Sequence, residues 1–121
     1  MATRENYWKW QLGGEDLGSW GNQWIQVACA TWLSGGRVLV NHSTWYSQMF
    51  RTKSGDFGFP YEQRGKEVSK TKHRVKDLFW NNQHPKQIHP VSWLIEKFSP
   101  VPGWTDEQLK QLKASEALLK T

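Results

Sequence analysis

The sequence predicts an α/β chain of the α+β kind, a small sheet with several helices and a helical C-terminal half. Three observations carry that prediction. The β-branched run Arg37-Val38-Leu39-Val40-Asn41 and the aromatic run from Thr44 to Arg51 have the composition of strands. Apolar residues recur at helical spacing across 22–33, 66–80, 91–98 and 106–119. Clusters of glycine and proline separate these stretches.

Taken in order, Tyr7 to Leu12 is rich in aromatics and reads as either a strand or a short helical turn, closed by Gly13-Gly14. Glu15 to Ser19 is polar and acidic, a loop. In 22–33, Trp24, Ile25, Ala28, Cys29 and Trp32 form one apolar stripe. Core packing is therefore expected of Trp24 and Trp32. Ser34-Gly35-Gly36 stops this helix, because glycine accepts the left-handed conformation found just past a helix end. The two extended runs follow, giving a βαββ-like order. Residues 52–64 then form a long glycine-punctuated loop.

The second half begins with a helix whose apolar positions are Val68, Val75, Leu78 and Phe79. Lys66, Lys70, Lys72, Arg74 and Lys76 cover the rest of its surface. A proline-rich segment leads to a short amphipathic helix at 91–98. Thr105 and Gln108 have the spacing of a capping box and open a last helix that carries Leu109, Leu112, Leu118 and Leu119.

The 121 residues suit one compact domain, with a first region at 1–60 and a helical extension at 61–121. The formal charge of +5 favours acidic partners, and the basic helix is permissive for nucleic acid or a membrane surface. A solvated basic face is the plainer account of the same residues. The single cysteine, Cys29, excludes an intrachain disulfide and reads as a small buried hydrophobe. No apolar run approaches the roughly 20 residues of a membrane span, and the N-terminus lacks a signal-peptide core, so a cytoplasmic location is expected. His42, His73, His84 and His89 have no zinc-site spacing and read as surface histidines. Phosphate-loop, nucleophile-elbow and catalytic Cys-His patterns are absent.

The stretch LGGEDLGSWGNQWIQVACATWLSGGRVLVNHSTWYSQMFR, residues 12–51, resembles the acceptor-side motif of family 2 glycosyltransferases and is similar to that of the polypeptide N-acetylgalactosaminyltransferases. Gly13, Gly14, Asp16, Trp20, Gly21, Trp32, Gly35, Gly36, Phe50 and Arg51 carry the likeness. The segments Asp56-Phe-Gly-Phe-Pro60, Trp93-Leu-Ile-Glu-Lys-Phe98 and Pro102-Gly-Trp104 extend it toward a bacterial and phage branch. The resemblance implies the C-terminal half of a GT-A-like fold. It also implies a part in moving a sugar from a nucleotide-sugar donor to a hydroxyl acceptor.

The same resemblance implies the site residues. Asp16 stands where a catalytic base is expected. Trp20, Gln23, Gln26, Trp45, Tyr46 and Arg51 stand at substrate-binding positions. Trp45 and Tyr46 offer ring faces to a sugar, and the planar fork of Arg51 suits a diphosphate. Three positions depart from the family pattern. The helix glutamates are Gln23 and Gln26, and the metal-ligating His is Gln48. An amide has no useful basicity near neutral pH and is a poor ligand for a catalytic divalent metal.

The chain also lacks an Asp-x-Asp motif and the alternating strands and helices of a nucleotide-binding half. A divalent metal and a nucleotide sugar are therefore expected only if such a half is supplied, and the chain is expected to be inactive alone. The alternative is a non-catalytic module that binds a glycan or a protein. A homo-oligomer, or a complex with the missing half, is the expected assembly.

Overall fold

The computed structural model describes residues 3–12, 22–51, 58 and 65–120. Five helices follow one another: α1 (Arg4–Lys9), α2 (Gln23–Leu33), α3 (Gly65–Trp80), α4 (Val91–Lys97) and α5 (Asp106–Leu119). The architecture among the described residues is all-helical, which overturns the expected α/β fold with a small sheet. Residues 37–41 and 44–50 have no regular secondary structure and form no strand. The physical reason is the absence of a ladder. A strand is stabilised by backbone bonds to a neighbour, and even an isolated pair is marginal in water. No backbone–backbone hydrogen bond joins 37–51 to any described residue. Within this arm the local structure is an Asx turn, in which the Ser43 N–H donates to Asn41 Oδ1 at 2.9 Å.

The Tyr7 to Leu12 stretch belongs to a helix and its exit, not a strand. Thr3 caps α1 by accepting from the Asn6 N–H at 3.1 Å. Gln11 then takes a positive φ of 49°, and the Leu12 N–H reaches back to the Tyr7 carbonyl at 3.1 Å, which drops Leu12 into the core.

The end of α2 follows the glycine signal closely. Gly35 has φ 89°, the Gly36 N–H donates to the Thr31 carbonyl at 2.8 Å, and the Gly35 N–H donates to Trp32 at 3.2 Å. These paired bonds define a Schellman motif. The Leu33 carbonyl, another orphan of the helix end, accepts from the N–H groups of both Ile88 and His89, at 2.8 and 3.0 Å. This junction ties the proline-rich connection to α2.

Seven apolar side chains form the core: Leu12, Ala30, Leu33, Val75, Phe79, Val91 and Leu112. α3 buries Thr71, Val75 and Phe79, the face its spacing indicated, and leaves its lysines outside. α2 is rotated relative to expectation. Its buried positions are Gln26, Ala30, Thr31 and Leu33, whereas Trp24 is 82% exposed and Ile25 is exposed as well. Ala30 explains the choice. Its small side chain lets the helix approach its neighbours closely, and Leu33 lies on the same side one turn on. Trp32 lies at the margin. It meets Phe98 edge-to-face at 5.2 Å, and Lys97 is over its ring at 5.4 Å and over that of Trp93 at 5.3 Å.

α4 begins at Pro90, which has no side chain able to cap. The cap comes from α5. Glu116, itself buried, accepts from the Ser92 N–H at 2.9 Å and from the Ser92 hydroxyl. A carboxylate at a helix N-terminus meets both orphan donors and the positive end of the helix dipole. The expected Thr105–Gln108 capping box is present in full at the start of α5. Leu112 is buried, but Leu118 and Leu119 are exposed.

Two substitutions test these junctions. A Cβ on Gly36 would lie 2.9 Å from the Thr31 carbonyl oxygen, so Gly36→Ala should cost about 1–3 kcal/mol in urea denaturation. Glu116→Ala strands two buried donors of Ser92 and should cost about 2–3 kcal/mol, read as a lower denaturation midpoint with unchanged slope.

Candidate functional site

The residues singled out by the motif fall into three groups. Asp16 and Trp20, with the Gly13-Gly14 and Gly21 positions, lie outside the described residues. Gln23 and Gln26 occupy the first turns of α2. Trp45, Tyr46, Gln48 and Arg51 lie on the exposed arm at 37–51. No hydrogen bond or ring contact joins Gln23 or Gln26 to Trp45 or Tyr46, so the described residues do not assemble them into one pocket.

Gln23 and Gln26 differ in setting although they sit one turn apart. Gln23 is exposed, whereas Gln26 is only 4% exposed and faces inward. Its Oε1 finds no hydrogen-bond partner among the described residues. Such a buried acceptor is costly unless something donates to it. Asn22, just before the helix, is also buried and donates through Nδ2 to the Val68 carbonyl of α3 at 3.2 Å. The polar end of α2 is thus pinned to the start of α3.

The arm is exposed along its whole length. Trp45 and Tyr46 are each 86% exposed, and Leu39, Val40, Met49 and Phe50 also lie open to solvent. Arg51 reaches the Gly58 carbonyl through Nη1 at 2.8 Å and makes a further interaction, so its guanidinium is partly committed within the chain. Gln48 is exposed and carries an amide where the family pattern has imidazole. Among the described residues no three His, Cys, Asp or Glu side chains converge on a common point.

Two further residues differ from their sequence reading or sharpen it. His84 is not a surface histidine. It is buried, stacks on Phe79 with ring centroids 5.4 Å apart, and contacts the Gln11 carbonyl through Nε2 at 3.1 Å. Its Nδ1 accepts from the Lys86 N–H at 3.3 Å, so the Nε2–H tautomer satisfies both bonds. His84 thereby fastens the exit of α1 to the connection after α3. Cys29 is half-buried, and burial pushes its thiol pKa above the usual value, the setting of an inert side chain rather than a nucleophile.

Other concave and charged features come from positions the motif did not mark. Trp80 and Trp104 flank a cleft beside α5. The basic surface of α3 exposes Lys66, Lys70, Lys72 and Lys76, while Glu67 and Arg74 are engaged within the chain. No described helix is long and apolar enough to cross a membrane. No family model, curated protein or solved structure matches the chain.

If Gln26 is an unpartnered acceptor in the isolated chain, a shape-similar apolar residue should relieve it. Gln26→Leu is expected to raise stability by about 1–2 kcal/mol, measured as a higher urea midpoint. An unchanged or lower midpoint would mean that the Oε1 is satisfied.

Proposed function

We propose that this chain is the acceptor-side part of a glycosyltransferase, completed by a nucleotide-sugar half that another chain or another part of the same gene supplies. The observation that carries this reading is the arm at 37–51. It holds the motif's terminal Phe50-Arg51 and presents its apolar side chains to solvent. The rings of Trp45, Tyr46 and Phe50 can bury roughly 450–750 Å² between them. That is most of the ≈800 Å² each partner contributes to a stable interface. Its two flanking cations, Arg37 and Arg51, with no acidic residue between them, suit a partner with an acidic rim.

In this reading the division of labour is chemical. The partner supplies the donor, its diphosphate and any metal. This chain supplies the acceptor face, with Trp20 against the sugar, the exposed Gln23 at the helix start, and Arg51 near the leaving group. Transfer needs a base at the acceptor hydroxyl and relief of charge on the diphosphate. Asp16 is the carboxylate that the motif puts forward as base. The amides at positions 23, 26 and 48 favour a second reading, a module that holds a glycan or protein without catalysis.

The test is to assay the purified chain for hydrolysis of UDP-N-acetylglucosamine and UDP-N-acetylgalactosamine with Mn²⁺, beside Asp16→Asn. Background turnover in both is expected. Turnover that falls with Asp16→Asn would show a complete enzyme and overturn the proposal that a nucleotide-sugar half must be supplied. Light scattering on the same sample separates the partners. A single-chain mass fits a distinct missing half, and a dimer would make a second copy the occupant of the arm.

A further inference from the structure

A cleft of about 300 Å³ lies between the C-terminal end of α3, the turn before α5 and the first turns of α5. Its side walls are two indole rings. Trp80 is the last residue of α3, and Trp104 is held by a tight turn in which its N–H donates to the Val101 carbonyl at 3.0 Å. Pro102 and Gly103 occupy the centre of that turn, and Gly103 has φ 82°, the type II arrangement that calls for glycine. The ring centroids are 6.5 Å apart and the planes diverge by 30°, so the two faces form a wedge.

Leu112 supplies an apolar, buried floor. The rim is uncharged and polar. Gln108 spends its Oε1 on the Thr105 N–H and keeps its NH₂ group as donor. The Gln111 side chain is exposed and has no hydrogen-bond partner among the described residues, so its amide offers both donor and acceptor. The Ser115 hydroxyl donates to the Leu112 carbonyl, leaving its oxygen free to accept. Although the protein carries a formal charge of +5, no cationic or anionic side chain among the described residues lines this cleft.

We propose that this cleft binds an uncharged saccharide, with one ring seated against Trp80 and Trp104. Apolar ring faces flanked by a few convergent polar groups are the general form of a small-molecule site. The CH face of a pyranose fits an indole plane, and its equatorial hydroxyls match primary amides, which both donate and accept. A phosphate would find no cation here, which argues against a nucleotide. The inference does not rest on the glycosyltransferase reading: Trp104 falls in a segment that carries the resemblance, but no residue lining the cleft is among the site residues that reading assigns.

The test is a titration of the ¹⁵N-labelled full chain with methyl β-D-glucopyranoside, N-acetylglucosamine and cellobiose. The indole N–H signals are observed, and Trp80→Phe and Trp104→Phe assign the two of interest. Saturable shifts of those two signals are expected with at least one saccharide. Trp104→Ala should weaken binding by about tenfold or more. Should Trp104→Ala fail to fold, Gln111→Ala decides. It alters an exposed side chain, should keep the helical signal, and should weaken binding several-fold. No saturation with any saccharide overturns the proposal. So does saturation by adenosine alone, or saccharide affinity unchanged in the folded variants.

Discussion

The C-terminal end of α2 holds the rest of the molecule in register. Within four residues it places Ala30 and Leu33, both fully buried, at the centre of the core. It also turns the chain outward through the Gly35-Gly36 pair. The Leu33 carbonyl collects two backbone donors from the connection between α3 and α4, so the position of α4 is fixed by the same atom that ends α2. Trp10 of the α1 exit lies against Gly36, close enough that a side chain there would strike its ring. α1, α2 and the 84–90 connection therefore meet around a single helix terminus.

Seven buried apolar side chains make a small core for five helices. Polar junctions between elements supply the missing specificity. Glu116 of α5 caps α4, Asn22 joins α2 to α3, and His84 bonds the α1 exit while stacking on Phe79. Each joins a side chain to a backbone group distant in sequence. Losing one leaves a buried polar group without a partner, which costs more than the bond itself contributes. The exposed Lys113–Glu96 pair is a different case, since solvent screens it and its contribution is small.

The helices were legible because their signals are local. The 3.6-residue period marked α3, the Thr105–Gln108 pair marked α5, and the glycine pair marked the end of α2. Which face of α2 turns inward was not legible. Apolar residues occur around most of that helix, and the decision rests on Ala30 permitting close approach, a tertiary matter. His84 was equally hidden, because its partners Gln11 and Phe79 are brought to it by the fold. The β-branched run at 37–41 has the composition of a strand, but composition cannot supply a neighbour, and no described segment runs alongside it. Of the candidate site, the sequence named the aromatic arm and the two α2 amides. It could not foretell that one amide is buried and the other exposed. The Trp80–Trp104 wedge spans 24 positions and has no periodic signature.

The arm has a consequence for the free chain. A solvent-exposed run of β-branched and aromatic side chains is the composition on which chains add edge to edge. Arg37 at its start and Arg51 at its end work as gatekeepers, since stacking copies in register would bring like charges together. They guard the ends of a fifteen-residue stretch whose middle carries no formal charge, counting His42 as neutral. Solubility of the free chain therefore rests on the charges at the two ends of the arm.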